Sequence, residues 1–154
     1  MSGEASGRAR YFEEIEVGEV HEHGSYTVTE AEIVEFAERY DPQPFHVDPE
    51  AAADSFYGGL IASGWQTASA CMPLIVEGFL NDAASMGAIG MEELTWHAPL
   101  RPGQTVNVEN EILEVRPSGS RDDRGYVRSR TVGAHDGEPV ITMVGTNVFA
   151  RRPE

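Results

Sequence analysis

The chain has 154 residues, 40% hydrophobic and 24% charged, a composition that suits one globular unit with a sizeable core. Eleven basic residues, all arginine, stand against 26 acidic ones, for a formal charge of −15 at pH 7. An acidic surface repels nucleic-acid backbones and anionic lipid, which argues against both as partners, while local arginines can still meet an anionic small ligand.

Residues 1–10 are rich in Gly, Ser and Arg without an apolar run, so they read as a flexible tail and not a signal peptide, with a single domain over 11–154. No stretch approaches the length of a membrane span, so a soluble protein is expected. Residues 19–28 read as an irregular strand with His21 and His23 on one face. Two exposed histidines are the plain reading, since no third and fourth ligand stand at metal-binding spacing and no metal is expected. Thr29 followed by Glu32, then Ile33, Val34, Phe36 and Ala37, forms a capping box feeding an amphipathic helix over 30–40.

That helix must stop near Asp41, because Pro42 disfavours helical backbone before it and Pro44 does the same to Gln43. Asp41 through Phe45 is therefore expected to be extended or turned. Asp41 and His46 lie five residues apart across this stiff frame, a carboxylate and an imidazole suited to proton transfer. Asp48-Pro49-Glu50 then opens an Ala-rich helical turn, and residues 58–64 form a small-residue loop. A helix from Trp65 to Phe79 follows, with apolar residues on so many sides that most of its circumference should be buried. Pro73 inside it is expected to cause a kink. Cys71, the lone cysteine, excludes an internal disulfide framework and fits a reducing, cytoplasmic setting. Its apolar neighbours mark it as a buried structural thiol.

The second half changes period. Val106, Val108, Asn110 and Ile112 alternate, as do Val140, Thr142, Val144, Thr146 and Val148, so this half is strand-rich and antiparallel. Asp136-Gly137 and Pro102-Gly103 are tight-turn signals, and residues 116–125 form a polar loop. Between Met86 and His97 the apolar phase shifts, which a bulge near Glu92-Glu93 would reconcile. The sum is an α+β plan, one strongly curved antiparallel sheet with one central helix.

The run Asp41-Pro42-Gln43-Pro44-Phe45-His46 resembles the hydratase motif of the MaoC-like, or (R)-specific enoyl-CoA hydratase, family of hot-dog folds. Residues 60–69 resemble that family's entry into its central helix, and 94–103 the strand and turn that follow, so the similarity spans most of residues 11–149. The resemblance implies an acyl-thioester hydratase or dehydratase in which Asp41 and His46 hold one water and move its protons, with the thioester carbonyl on the backbone N–H of Gly64. It implies Ser69 as a hydroxyl supporting the carboxylate. Gln43 stands where the family commonly has Asn, and its longer amide can still hydrogen-bond across the loop. Ser63 takes the place of a frequent His before the oxyanion glycine, and Tyr40 that of a Gly before the Asp. No cofactor is implied beyond a CoA thioester as substrate, and a homodimer or an assembly of dimers is expected.

Two other readings compete. A hot-dog thioesterase would carry its carboxylate on the central helix, where Glu77 is the one acid between Trp65 and Phe79. A non-catalytic acyl-CoA-binding module would bind without turnover. Trp65 and Trp96 could wall an acyl pocket, although such residues are more often plain core. Arg101, Arg128 and Arg130 could meet CoA phosphates, although each alone is more often a solvated charge or an ion-pair partner. His97 and His135 carry no recognisable pattern.

Overall fold

The computed structural model describes residues 10–153. The predicted tail therefore lies outside the described residues except for Arg10. That residue is anchored, its Nη2 lying 2.9 Å from Glu19 Oε2.

The elements are β1 (Val20–Thr27), α1 (Glu30–Tyr40), α2 (Pro44–Val47), α3 (Pro49–Ala53), the central helix α4 (Gly64–Gly78), β2 (Ser85–Trp96), β3 (Thr105–Pro117), β4 (Arg124–His135) and β5 (Glu138–Ala150). The five strands form one antiparallel sheet in the order β1-β3-β4-β5-β2. This is the hot-dog plan that the resemblance implies. Local chemistry accounts for the boundaries. Thr29 Oγ1 accepts from Glu32 N–H at 3.1 Å while Glu32 Oε1 accepts from Thr29 N–H at 3.0 Å, which starts α1. Asp48 caps α3 through the N–H groups of Glu50 and Ala51. The β4–β5 turn places Asp136 at φ 52° and Gly137 at φ 82°, the left-handed pair that a two-residue hairpin needs. The register of β2 slips between Met91 and Glu93, where the phase of its apolar residues shifts.

The sheet curls over α4. Cys71 and Ile75 on the helix meet Val106 and Val108 of β3 and Ile141 and Met143 of β5 in one core cluster. A second cluster joins Phe79 to Phe12, Ile112, Val127 and Phe149. Helix α4 is less enclosed than its composition predicts. Thr67, Cys71 and Ile75 form a single buried stripe at four-residue spacing, whereas Trp65 and Met72 stay exposed. One five-stranded sheet covers only one side of a helix, which is the physical reason. The helix continues through Pro73.

His21 and His23 also differ from expectation, because both are half-buried. The His21 ring stacks on Phe79 with centroids 5.0 Å apart, and His23 packs over Gly78, where a Cβ would come within 2.4 Å of its Nδ1. Burial, reinforced by the neighbouring His21, holds the His23 pKa below its ordinary value. Among the described residues, no helix is long and apolar enough to cross a membrane.

Candidate active site

Helix α1 ends at Asp41, whose N–H donates to Ala37 O at 2.8 Å, and Gln43 precedes α2 with Pro44 as its first residue. The run expected to be extended or turned through Phe45 therefore becomes helical already at Pro44. The fixed φ of proline suits the first helical position, so Phe45 and His46 turn into one helical loop. This turn carries His46 inward to 5% exposure.

His46 Nδ1 donates to the Ile61 carbonyl at 2.7 Å. A carbonyl can only accept, so Nδ1 carries a proton and Nε2 is left to face Asp41 Oδ2, 3.3 Å away. The carboxylate is held at both ends. Ser63 Oγ donates to Oδ2 at 2.7 Å and Gln43 Nε2 donates to Oδ1 at 2.8 Å. Burial penalises the charged form of Asp41. The hydrogen bonds from Ser63 and Gln43, with the attraction of His46, outweigh that penalty and hold the carboxyl below its usual value.

Ser63 is fully buried behind the carboxylate and also accepts from Trp65 N–H at 3.3 Å, so it caps α4 at the same time. Gly64 opens that helix, and its N–H has no intrahelical acceptor. Asp41, Gln43, His46 and Gly64 line one open cavity of about 480 Å³, with Trp65 and Trp96 on its wall. A groove of about 530 Å³ between α1 and α4 shares Thr67 and Leu100 with it but contains neither Asp41 nor His46.

Five of the six residues singled out from the sequence thus gather here. Ser69 does not. Its hydroxyl donates to Trp65 O at 2.8 Å, a bond back to the preceding helical turn, and the hydroxyl beside Asp41 belongs to Ser63. Trp65 and Trp96 are not core. Their rings meet edge to face at 5.2 Å with 56% and 41% exposure. Trp96 Nε1 donates to Gly64 O at 2.8 Å, and its ring lies so close that a Cβ on Gly64 would come within 2.4 Å of it. No sequence signal identifies this clamp, because 32 residues separate its two halves.

The arginine candidates are engaged elsewhere. Arg101 Nη2 donates to Tyr57 O at 2.6 Å, Arg128 pairs with Glu92 through two bonds of 2.7 and 2.8 Å, and Arg130 pairs with Glu111 at 2.7 Å. His97 lines the cavity and reaches Thr142 Oγ1, while His135 Nδ1 donates to Thr105 O. Glu77 is exposed on the last turn of α4. Among the described residues, no group of three or more His, Cys, Asp and Glu side chains is arranged to hold a metal ion.

The family model described as "MaoC like domain" matches residues 13–137. The chain is 41% identical to a solved MaoC-like dehydratase from Rhodospirillum rubrum, with a TM-score of 0.86 over 94% of this chain and 99% of that one. A 3-hydroxybutyryl-CoA dehydratase from Methylorubrum extorquens is 33% identical over 116 residues, which is 74% of this chain and 71% of the relative. The uncharacterized protein YdeM of Bacillus subtilis is 35% identical over 106 residues, 68% of this chain and 74% of its own.

Proposed function

Because the chain belongs to the MaoC-like domain family, we propose that it adds water to an enoyl thioester, or removes it from a 3-hydroxyacyl thioester, at Asp41 and His46. The observation that carries this reading is the 3.3 Å contact between Asp41 Oδ2 and His46 Nε2 in the cavity that Gly64 also lines.

In the hydration direction, Asp41 takes a proton from the bound water as its oxygen bonds to the β-carbon. The π electrons move toward the α-carbon, and charge builds on the thioester oxygen. The N–H of Gly64 meets that oxygen with the partial positive charge of a helix N-terminus. A protonated His46, held by Ile61 O at Nδ1, gives its Nε2 proton to the α-carbon. Proton transfer from Asp41 to His46 across their direct contact then restores both groups. Water and proton act from one side, which accounts for syn addition. Ser63 and Gln43 keep Asp41 ionised and aimed, and Trp96 holds the first peptide of α4 in place.

The functional unit in this reading is a homodimer. Among the described residues, strand β2 pairs only with β5, its residues 85–93 are exposed, and Met86, Ile89 and Met91 present apolar side chains there. An open apolar edge strand invites pairing with a second copy, which would make one continuous sheet.

The test follows loss of enone absorbance with crotonyl-CoA and longer enoyl-CoAs for the wild type, Asp41→Asn and His46→Gln. Each variant is expected to lose roughly 10²- to 10⁴-fold in kcat/KM. Variants as active as the wild type would overturn the mechanism. Thiol release measured in parallel with dithionitrobenzoate would reveal a thioesterase, and acyl-CoA binding without either signal would reveal a binding module.

A further inference from the structure

A smaller cavity, of about 110 Å³, lies between the C-terminal half of α4 and the sheet. Ile75, Phe79 and Met143 give it apolar walls, yet Asn110, Thr131 and Asn147 also line it. Asn110 sits in the inward row of β3 with Val106, Val108 and Ile112, at 3% exposure. Its Nδ2 donates to Thr131 Oγ1 at 2.9 Å across the β3–β4 pair, but its Oδ1 has no hydrogen-bond partner among the described residues. A buried unpaired amide oxygen loses its hydration with nothing to replace it, and a leucine of similar shape would fill the position without that penalty. Asn110 borders a space of about 110 Å³ that, at about 30 Å³ per water-sized group, admits three or four heavy atoms.

We infer that this cavity receives the far end of the acyl chain and that Asn110 recognises a hydroxyl group there. The substrate class is then an acyl thioester carrying a hydroxyl toward its distal end. This inference rests on the acyl-thioester reading above. Met72 and Ile75 on the cavity wall lie eight and eleven residues beyond Gly64, about 12 and 16 Å along the helix axis, so at roughly 1.25 Å of extended length per carbon a chain of about 11 to 14 carbons held at Gly64 spans the distance. The apolar walls suit its methylenes. A hydroxyl suits Asn110 in either amide orientation, because it can donate to the oxygen or accept from the nitrogen, whichever Thr131 leaves unpaired.

Calorimetry on the full chain tests this with matched pairs: dodecanoyl-, tetradecanoyl- and hexadecanoyl-CoA against their (ω−1)-hydroxy counterparts. The hydroxylated chain of at least one pair is expected to bind roughly tenfold tighter. In the double variant Asn110→Leu/Thr131→Val that preference should vanish or invert. Changing both partners together leaves no orphaned hydroxyl, so the variant is expected to fold, and its thermal melt checks this. Equal or weaker binding of every hydroxylated chain, or a preference that survives in the folded double variant, overturns the proposal. Wild-type turnover of crotonyl-CoA and longer enoyl-CoAs reports separately on the hydratase reading. Turnover without hydroxyl preference removes the subsite alone, and hydroxyl preference without turnover removes the hydratase reading alone.

Discussion

Replacing Ser63 with alanine removes two bonds with different pH dependence. The hydroxyl accepts from Trp65 N–H at 3.3 Å, and loss of such a helix cap costs about 1 kcal/mol at any pH. It also donates to Asp41 Oδ2 at 2.7 Å, and a hydrogen bond to a charged group contributes about 1.5–3 kcal/mol. Asp41 opens onto the cavity with its side chain 17% exposed, so the low end of that range applies. Ser63→Ala should therefore destabilise by roughly 2–3 kcal/mol at pH 7.

The folded-state pKa of Asp41 is depressed below the ordinary value of 3.8. A depressed carboxylate contributes stability that is present above the unfolded pKa and lost as pH falls through the folded one. The difference between wild type and variant should thus be full-sized well above the ordinary value of 3.8 and shrink toward the cap's contribution of about 1 kcal/mol as pH falls below that value and through the depressed pKa of Asp41. Urea denaturation of both proteins across this range measures it. In the same variant, the acid limb of kcat/KM for enoyl-CoA hydration should move to higher pH. A stability gap that stays constant from pH 7 to pH 3, with an unmoved acid limb, would refute the assignment of Ser63 as the support of the Asp41 carboxylate.

Gly64→Ala should lower kcat/KM more than stability, because the half-exposed Trp96 ring can swing away from a new Cβ only by releasing Gly64 O. Steady-state kinetics beside a thermal melt separates the two effects, and an unaltered kcat/KM would contradict the clamp. Burial pushes the Cys71 thiol up to about 11, and its side chain is fully enclosed. Native protein at pH 8 is expected to give no reaction with dithionitrobenzoate, and urea-unfolded protein one thiol per chain; rapid labelling of the native form would contradict this burial. Ile89→Lys on the open edge of β2 should shift sedimentation from dimer to monomer, whereas a wild type that sediments as a monomer would exclude the proposed assembly.

Much of the fold was legible because its signals are local. The Thr29/Glu32 capping box, the Asp136-Gly137 turn and the alternation of β3 each act within a few residues, and each appears where its spacing places it. The enclosure of α4 was not legible, since composition reports apolarity but not how much sheet is available to cover it. In β5 the alternation of Val140, Thr142 and Val144 marks a strand, but Met143 and Asn147 on the opposite phase border the inner cavity. A strand near the middle of the sheet carries apolar residues on both faces, so phase alone does not name the inner one. Asn110 did leave a trace, as the one amide in an otherwise apolar row.

The candidate site divides in the same way. Asp41 and His46 are joined by a short segment that two prolines stiffen, so their proximity could be argued from the chain alone, and the contact measures 3.3 Å. Which hydroxyl stands behind the carboxylate depends on packing across 22 residues. Ser63 and Ser69 are six positions apart at the start of one helix, and at 3.6 residues per turn that is a rotation of roughly 240°. The helix therefore turns one toward Asp41 and the other away. Residue identity names both hydroxyls as candidates, and the docking of α4 against the end of α1 selects Ser63.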